Sequence, residues 1–362
     1  MAKKTVMVAM SGGVDSSVSL LRILESGYDP VGVTMKLWDY KTVGGNTEQD
    51  NSCCGIEEIT GAKMVCNQFG VPHYTIDFTK VFNEKVVENF SSEYLAGRTP
   101  NPCIRCNSYV KWDAFIDQAD QMGIEYIATG HYAIIESKGN QFYLKKGKDI
   151  KKDQSYVLWG IPKETLKRTI FPIGDLTKLE VREIARKNNL ATAESAESME
   201  ICFVADNNYR RFLNDYKPKE MSKIKEGDII EDGKKVGSHP GYIQYTVGQR
   251  KGLKLSNPEP RYVSKIDPKN NTITVGKKNS IFKKECYIAN LNLLIDEITF
   301  PIKINAQIRY NSMGGKATLS KVNNNYKLHF DEPQLAITPG QSAVFYKDDI
   351  VIGGGIIELN AK

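Results

Sequence analysis

The sequence predicts an α/β protein with an N-terminal, mostly parallel sheet, a small central domain and a C-terminal antiparallel β-barrel. Three observations predict this order. Short apolar strands alternate with amphipathic helices in the first third of the chain, a pattern typical of parallel sheets covered by helices. Lysine, glycine and proline become frequent between residues 207 and 275, and short strands alternate with turns from Gly276 onward. We therefore predict domains at residues 1–206, 207–275 and 276–362.

Composition favours an ordinary folded protein. Of the 362 residues, 41% are hydrophobic and 25% are charged, which excludes disordered and coiled-coil classes. No apolar run approaches the roughly 20 residues that a transmembrane helix needs, and no signal-peptide pattern precedes the first strand. We expect a cytoplasmic protein with no membrane partner. The net charge of +6 includes repeated lysine pairs such as Lys151-Lys152, which suit a nucleic-acid backbone.

Hydrophobic periodicity predicts the N-terminal elements. Val18, Leu21 and Leu24 form one stripe of a helix that ends at Gly27. The other elements alternate between strands at Thr5–Met10, Val31–Trp38, His73–Phe78 and Tyr126–Ala133 and helices around Ile59–Phe69, Val81–Tyr94 and Val110–Met122. Strands separated by helices require right-handed crossovers, so we expect a parallel sheet with helices on both faces.

Turn and capping signals predict the later elements. A hairpin spans Tyr132–Lys146 and turns at Lys138-Gly139-Asn140. The capping box Thr177-Lys-Leu-Glu180 begins a helix that continues through Asn189. The remaining strands are short and lie at Tyr262–Ile266, Thr299–Ile308, Tyr326–Phe330, Gln341–Tyr346 and Ile350–Ile357. Their spacing predicts a small barrel.

A glycine-rich loop, Ser11-Gly-Gly-Val-Asp-Ser-Ser17, lies between the first predicted strand and the first predicted helix. Glycine lets backbone amides approach an anion, and the N-terminus of a helix adds N–H donors and partial positive charge. Ser11, Ser16 and Ser17 add hydroxyl donors. Because the loop has neither the Gly-Lys-Ser/Thr of a Walker A loop nor GxGxxG, it predicts a phosphate site of another type.

The loop resembles the signature of the PP-loop ATP pyrophosphatases, which split ATP into AMP and pyrophosphate and adenylate a substrate. Further motifs make the whole chain similar, in order, to the bacterial tRNA-specific 2-thiouridylase family. These motifs are Gly97-Arg-Thr-Pro-Asn-Pro-Cys-Ile-Arg-Cys-Asn107, Thr129-Gly-His-Tyr132, Lys151-Lys-Asp-Gln-Ser-Tyr156, Ser198-Met-Glu-Ile-Cys-Phe203, Thr246-Val-Gly-Gln-Arg-Lys-Gly252, Arg309-Tyr310 and Gly340-Gln341. The resemblance implies a PP-loop (adenine nucleotide alpha-hydrolase-like) sheet and replacement of oxygen by sulfur at carbon 2 of the wobble uridine in tRNA.

The resemblance also implies cofactors and site residues. ATP and Mg²⁺ would be the cofactors, with Asp15 helping to hold the magnesium on the departing pyrophosphate. The residues implied at ATP are Ala9, Met10, Ser11, Gly12, Gly13, Val14, Asp15, Ser16, Met35 and Gly130. The residues implied at the tRNA and its target base are Asn101, Pro102, Cys103, His131, Lys152, Asp153, Gln154, Arg309, Tyr310 and Gln341. For His131, a core histidine is an equal alternative.

Cys106 and Cys202 would carry the sulfur. A uridine carbonyl has no leaving group, but adenylation of its oxygen creates one, and a sulfur nucleophile can then displace AMP. One thiol would carry a persulfide obtained from a sulfur-donor protein, and the other would release the sulfur by forming a disulfide. We predict that Cys106 lies just before a helix whose N-terminus lowers its pKa, and that Cys202 lies at a strand end. A buried structural cysteine is the alternative for each.

The other cysteines are predicted to have structural or incidental roles. Cys66 and Cys286 fit apolar stripes and are expected in the core, and Cys53-Cys54 is interpreted as an accidental thiol pair in a polar loop.

One position departs from the better-known family pattern. The family's Asp-x-x-Cys reads Cys103-Ile-Arg-Cys106 here, so a carboxylate is replaced by a third thiol. Cys103, Cys106 and Cys202 together match the ligands of a [4Fe–4S] cluster with one open iron, which would bind hydrosulfide. The cluster and persulfide hypotheses both stay open. Zinc is a weaker third option, because a structural zinc site usually has four protein ligands.

Two functions of other classes are kept as alternatives. Another PP-loop ligase that adenylates a small carbonyl substrate would not need Cys106, Cys202, the lysine pairs or a terminal barrel. A non-catalytic, redox-sensing RNA-binding protein would not need residues 11–17. Dependence of pyrophosphate release on added tRNA separates these functions.

Overall fold

The computed structural model describes residues 3–38, 56–195, 201–204, 206–256 and 258–360. Contacts divide the chain into two compact units. The first comprises Met1–Val86, Cys103–Asn208 and Asp349–Ile352, and the second comprises Val87–Pro102, Tyr209–Asp348 and Gly353–Lys362. The domain boundaries expected near residues 206 and 275 stay predictions. No helix within the described ranges is long and apolar enough to cross a membrane.

The strands have the following bounds in chain order: β1 Thr5–Ala9, β2 Asp29–Lys36, β3 His73–Asp77, β4 Tyr126–Ala128, β5 Ala133–Lys138, β6 Gln141–Lys146, β7 Thr169–Ile170, β8 Gly227–Glu231, β9 Lys234–His239, β10 Tyr262–Asp267, β11 Thr272–Gly276, β12 Phe282–Leu293, β13 Ile302–Gln307, β14 Gly315–Val322, β15 Asn325–Leu335, β16 Ser342–Lys347 and β17 Ile350–Glu358.

The α-helices are α1 Val14–Glu25, α2 Ile56–Gln68, α3 Thr79–Phe82, α4 Glu88–Leu95, α5 Pro102–Cys106, α6 Phe115–Gln121, α7 Lys178–Lys187, α8 Tyr209–Tyr216 and α9 Pro218–Met221. Two π-helical segments, Asn83–Val87 and Asn107–Ala114, follow α3 and α5 without a break in the chain. Short 3₁₀ turns lie at Ser155–Leu158, Lys163–Arg168, Tyr242–Gln244 and Lys278–Ile281.

The first unit contains the predicted parallel sheet, with strand order β3-β2-β1-β4-β7. β1 lies between β2 and β4 and pairs in parallel with both. Its inward side chains belong to a core that α1, α2 and α7 cover, with buried members Val6, Val8, Val18, Leu20, Val65, Val181 and Ala185. Burial of these aliphatic side chains supplies the main stabilisation of this layer. The predicted fold class is confirmed.

The strand predicted over Tyr126–Ala133 is wrong in its second half. β4 ends at Ala128, and a new strand, β5, begins at Ala133. The chain leaves the sheet at Gly130, which packs against the backbone at the beginning of α1. The interruption therefore places Thr129–Tyr132 at the carboxyl edge of the sheet instead of inside it.

The predicted hairpin and capping box are confirmed. β5 and β6 pair from Ala133–Lys146 to Lys138–Gln141, and Gly139 between them has a φ of +60°. Thr177 caps α7 by accepting a hydrogen bond from Glu180 N, and Glu180 accepts one from Thr177 N. A hydrogen bond from Lys148, together with these bonds to Thr177, lowers the pKa of Glu180 to about 2. The helix ends at Lys187, two residues before the predicted end.

The second unit is built from antiparallel β-structure with short helices. One sheet has the order β10-β11-β8-β9. β12, β15, β14, β13, β16 and β17 follow one another around a barrel, and pairing of β12 with β17 closes it. Closure pairs the two end strands of the barrel with each other, and the interior is filled by side chains such as Leu319, Leu328, Phe330 and Phe345. The predicted C-terminal barrel is confirmed.

Candidate active site

The glycine-rich loop connects β1 to α1 at the carboxyl edge of the parallel sheet. Gly13 is the N-cap residue of α1. Amide groups in the first turn of a helix have no partner within the helix, and they supply donors to a phosphate. Gly12 has a φ of +76°, which L side chains rarely adopt. The loop therefore has the backbone conformation that the sequence predicts for an anion site.

The serines of the loop stabilise its shape. Ser16 and Ser17 are buried, and each hydroxyl donates to the carbonyl oxygen of Gly13 at 2.9 Å. The amide of Ser11 donates to the Ser16 hydroxyl at 3.2 Å, while the Ser11 side chain itself is exposed. In this conformation the Ser16 and Ser17 hydroxyls fold the loop, and their predicted contact with a ligand stays a prediction.

Gly12 supports a first mutational prediction. A Cβ at Gly12 would lie 2.3 Å from the carbonyl oxygen of Glu58 in α2, and the positive φ adds strain of roughly 1–2 kcal/mol. We expect Gly12→Ala to weaken ATP binding by at least about tenfold, equivalent to about 1.4 kcal/mol. Gly61→Ala is the matched control, because its Cβ would be 3.5 Å from Gly12 O, an ordinary contact. Nucleotide titration of both variants checks this; wild-type ATP affinity in Gly12→Ala would contradict it.

The reversal of strand order beside β1 opens a crevice where parallel sheets commonly bind ligands. Gly130 follows β4 at this point, and a Cβ there would lie 3.0 Å from Asp15 C and Ser16 N. Because those are backbone atoms, only glycine lets β4 approach the loop so closely. Met35 lies near the carboxyl end of β2 and is half-buried. These positions are compatible with the predicted nucleotide contacts of Gly130 and Met35.

Asp15, Tyr132 and Lys178 form a hydrogen-bonded cluster at the beginning of α1. Lys178 Nζ donates to Asp15 Oδ1 at 2.7 Å and to Oδ2 at 2.8 Å. The Tyr132 hydroxyl donates to Asp15 Oδ1 at 2.7 Å. The Asp15 side chain is 32% exposed and that of Lys178 is 12% exposed, so the carboxylate still reaches solvent. The cluster holds one anionic and one cationic group beside the phosphate loop.

Sequence reasoning missed Lys178. It is the first residue of α7 and follows the capping residue Thr177. A cation in the first turn of a helix opposes the helix dipole, and this unfavourable position was a signal that could have been noticed. Its compensation is tertiary, because Asp15 lies 163 residues away in sequence.

The residues of this edge fit ATP with Mg²⁺. Carboxylate oxygen is a preferred magnesium ligand, and magnesium sites usually combine one or two carboxylates with substrate phosphates. Asp15 supplies such a carboxylate, the loop and α1 supply backbone donors, and Gly12 and Gly130 keep the space free of side chains. The predicted contacts of Ala9, Met10, Val14 and the other loop residues with ATP remain predictions.

Cys103 and Cys106 lie on one short helix. Both belong to α5, where Cys103 is exposed and Cys106 is buried. The helix continues from Cys106 into the π-helical segment Asn107–Ala114. The prediction that Cys106 precedes a helix is therefore wrong: the helix begins at Pro102, so that Cys103 lies nearer its N-terminus. Pro102 starts the helix early because proline suits the first helical turn.

Cys202 lies in a turn, where the amide of Val204 donates to the carbonyl of Ile201 at 2.9 Å. The predicted strand end is wrong there, and the preceding residues 196–200 lie outside the described residues. The Cys202 side chain is half-buried. In the part of the chain that the structure describes, no three His, Cys, Asp or Glu side chains are grouped to hold a metal ion. The cluster shared by Cys103, Cys106 and Cys202 stays a prediction.

The remaining described cysteines are core residues, as predicted. Cys66 is 0% exposed and Cys286 is 1% exposed. Burial raises the pKa of Cys66 to about 11 and, with a contribution from Glu285, that of Cys286 to about 12. Both are therefore protonated and unreactive near neutral pH. Cys53-Cys54 lies outside the described residues.

His131 is enclosed in the first unit. Its Nδ1 lies 2.7 Å from the Thr129 hydroxyl, and its ring packs against Trp112 and Phe171. Burial, with a smaller effect of Lys111, lowers the pKa of His131 well below its usual value, so the ring is neutral at physiological pH. This is the environment of the core histidine that was the alternative; a tRNA contact stays a prediction.

Lys152, Asp153 and Gln154 do not all face outward. Asp153 accepts hydrogen bonds from Gly147 N at 2.9 Å and from the Ser155 hydroxyl at 2.8 Å. Burial raises the pKa of Asp153 despite these bonds. Gln154 Oε1 accepts a hydrogen bond from Tyr132 N at 3.0 Å. Two of the three predicted tRNA contacts therefore also organise the protein.

The second unit contains the other residues predicted at the tRNA. Gln341 Nε2 donates to Thr99 O at 2.9 Å and to Pro100 O at 3.2 Å, which brings Gln341 next to the segment leading to Asn101 and Pro102. In the same unit Arg309 donates to Ala336 O at 2.8 Å, and Tyr310 is 41% exposed. The structure therefore brings Gln341 to the Asn101 segment, a pairing that the sequence did not indicate.

A phosphate loop at the switch point of a parallel sheet, with Asp15 and Lys178 beside it, defines a nucleotide-binding α/β enzyme. The profile of the tRNA methyl transferase HUP domain matches residues 4–206. That of the tRNA methyl transferase PRC-barrel domain matches residues 210–277, and that of the aminomethyltransferase beta-barrel domain matches residues 283–357.

Relatives that match along nearly their whole length define the family more closely. The chain is 46% identical to the tRNA-specific 2-thiouridylase MnmA of Carboxydothermus hydrogenoformans, over 98% of both chains. It is 46% identical to the Salinibacter ruber protein of that name, over 99% of this chain and 95% of the relative. It is 43% identical to the Amoebophilus asiaticus protein of that name, over 100% of this chain and 97% of the relative. The chain belongs to the tRNA-specific 2-thiouridylase family.

Proposed function

We propose that this protein is a tRNA sulfurtransferase that uses ATP to convert the wobble uridine of tRNA to 2-thiouridine. The observation that carries the proposal is the Asp15–Lys178–Tyr132 cluster beside the phosphate loop. The cluster has the charges that ATP cleavage needs, in a chain related over its full length to enzymes named for this thiolation.

The first step is adenylation of the uridine. The O2 atom of the base attacks the α-phosphorus of ATP, the bond to the β-phosphate breaks, and pyrophosphate leaves. Backbone donors of the loop and α1 would hold the phosphates. Asp15 would hold Mg²⁺, which when bound would supply positive charge to the departing pyrophosphate. Lys178 then shifts from Asp15 to the pyrophosphate, where a fixed cation stabilises the developing negative charge.

The second step transfers sulfur. Cys202 carries a persulfide, whose terminal sulfur attacks carbon 2 of the adenylated base and displaces AMP. Cys106 then attacks the Cys202 sulfur, the sulfur–sulfur bond breaks, and its electron pair stays on the base as the thiocarbonyl. The two cysteines finish as a disulfide, so each turnover consumes one persulfide from a sulfur-donor protein and two electrons from a thiol reductant.

The tRNA is the macromolecular partner in this proposal. Lys151 and Lys152 lie in the first unit, in a loop whose Asp149 accepts a hydrogen bond from Lys178 N. Asn101, Arg309, Tyr310 and Gln341 offer polar and aromatic groups in the second unit. Basic and aromatic side chains are the groups that contact phosphate and unstacked bases in RNA recognition.

The role of Cys103 separates the persulfide and cluster hypotheses. Since the three cysteines are not grouped as metal ligands here, we expect the native protein and Cys103→Ala both to thiolate tRNA without bound iron after anaerobic purification. The measurements are iron content and 2-thiouridine formation after anaerobic reconstitution. Binding of about four iron atoms per chain, lost together with activity in Cys103→Ala, would instead establish the cluster.

The proposed function is tested with purified protein, ATP, Mg²⁺, a persulfide donor and unmodified tRNA. We expect pyrophosphate release that requires tRNA and one 2-thiouridine per adenylated tRNA. Release that is stimulated by a small carbonyl substrate and not by tRNA would identify another PP-loop ligase. Binding of tRNA with no ATP cleavage under any condition would identify a non-catalytic RNA-binding protein.

A further inference from the structure

A loop in the first unit, residues 147–155, carries both a basic tip and two connections to the ATP-cleaving cluster. It follows β6 and ends at the 3₁₀ turn Ser155–Leu158. Its tip is exposed: Ile150 is 86% exposed, and Lys151 beside it is also exposed. An exposed aliphatic side chain next to two lysines is a surface suited to a partner with a phosphate backbone and unstacked bases.

The first connection passes through Gln154 and Tyr132. Gln154 is hydrogen-bonded to both backbone groups of Tyr132. Its backbone N–H donates to Tyr132 O at 2.9 Å, and its side-chain Oε1 accepts from Tyr132 N at 3.0 Å. Gly147, at the other end of the loop, packs closely on the same residue, since a Cβ there would lie 2.8 Å from Tyr132 O. The Tyr132 hydroxyl then donates to Asp15 Oδ1.

The second connection passes through Asp149 and Lys178. Asp149 Oδ1 accepts a hydrogen bond from Lys151 N at 3.1 Å, and Asp149 O accepts one from Lys152 N at 3.0 Å, which together form the turn of the tip. Asp149 Oδ2 accepts from Lys178 N at 3.0 Å. Lys178 Nζ donates to both oxygens of Asp15. Both connections therefore lead from the 147–155 loop to the same group, the carboxylate of Asp15.

We propose that the 147–155 loop couples tRNA binding to ATP cleavage, with Gln154 and Tyr132 as positioning residues for Asp15. The proposal rests on the proposed function and adds the route by which tRNA acts on the nucleotide site. tRNA that binds the tip fixes the loop, the loop fixes Tyr132 and Lys178, and these hold Asp15 in the geometry that Mg²⁺ and pyrophosphate require.

Coupling of this kind is reciprocal, so it is measured as a binding ratio. The ratio is the Kd of tRNA without ligand divided by its Kd in the presence of Mg²⁺ and an ATP analogue whose α–β bridge is a methylene group. For the native protein we expect a ratio of about 5 or more, within the usual range of coupling between two sites. For Tyr132→Phe and Gln154→Ala we expect a ratio near one.

Three comparison variants separate coupling from simple loss of structure. Tyr143→Phe removes a tyrosine hydroxyl that is bonded to Gln141 at the surface of the neighbouring hairpin, so it should keep the native ratio. Gln154→Glu keeps the acceptor oxygen for Tyr132 N, so it should keep the ratio while its charge weakens tRNA binding. Lys151→Ala should also weaken tRNA binding and keep the ratio. Thermal unfolding of every variant shows whether the fold is intact.

The binding ratios of these variants decide whether the 147–155 loop couples the two sites. A ratio near one in folded Tyr132→Phe and Gln154→Ala, with native ratios in Tyr143→Phe and Gln154→Glu, supports the coupling loop. Native ratios in both Tyr132→Phe and Gln154→Ala overturn it. A native protein that forms 2-thiouridine but has a ratio of one overturns the coupling alone, whereas a native protein that never forms 2-thiouridine overturns the proposed function as well.

Discussion

Asp15→Ala is expected to lower tRNA-dependent pyrophosphate release by at least about 100-fold, a loss typical of removing a group that stabilises charge in the transition state. tRNA binding without ATP should change little. The carboxylate contacts both Lys178 and Tyr132 beside the phosphate loop. Without it, the proposed Mg²⁺ site loses its carboxylate, and Lys178 loses a hydrogen-bond partner.

Lys178 variants test the other half of the pair. Lys178→Ala should also lower pyrophosphate release by at least about 100-fold. Lys178→Arg should not restore it fully, because the longer, planar guanidinium spreads its charge and cannot place it on the pyrophosphate as the compact ammonium of lysine does. Pyrophosphate release at saturating ATP and tRNA is the measurement for both variants.

The control is an acidic residue in an ordinary ion pair. Asp175 accepts a hydrogen bond from Arg22 at 3.1 Å and its side chain is 60% exposed, so Asp175→Ala removes a surface interaction of small energy. Native pyrophosphate release is expected there. If Asp15→Ala released pyrophosphate as fast as Asp175→Ala, the assignment of the loop to ATP cleavage would be wrong.

Local sequence signals were sufficient for most of the fold. Alternation of period two and stripes of period 3.6 are properties of adjacent residues, so β1, α1 and the barrel strands β13, β15, β16 and β17 could be predicted directly, whereas β12 and β14 were missed. The capping box Thr177–Glu180 is likewise local and was predicted correctly. Local signals did not predict the end of the strand expected over Tyr126–Ala133. That strand ends early because Gly130 approaches Asp15, a residue far from it in sequence.

The site could be predicted only where one motif contains it. The phosphate loop is continuous in sequence, but Lys178 reaches Asp15 across 163 residues and Gln341 reaches Thr99 across 242. The family resemblance implied tRNA contacts for Asp153 and Gln154, which stay predictions, and in the fold their side chains also satisfy backbone groups of the same unit. Polarity predicts that a side chain needs a partner, and only the folded chain determines which partner it has.

Cys106→Ala and Cys202→Ala are each expected to lower 2-thiouridine formation by about 1,000-fold or more, as loss of a nucleophile commonly does. tRNA-dependent pyrophosphate release should persist, because neither thiol takes part in adenylation. The variants should therefore cleave ATP in the presence of tRNA without transferring sulfur. Measurement of pyrophosphate and of 2-thiouridine in the same reaction resolves the two steps.

Cys66→Ala is the matched control for these cysteines. Its thiol is buried in the first unit, and burial raises its pKa to about 11, so below that pH it remains a protonated thiol that cannot replace a missing nucleophile. We expect native thiolation from Cys66→Ala, with a modest loss of thermal stability from the vacated volume. Thiolation that survives in both Cys106→Ala and Cys202→Ala would refute the persulfide–disulfide route and leave the sulfur to be carried by a group other than these two thiols.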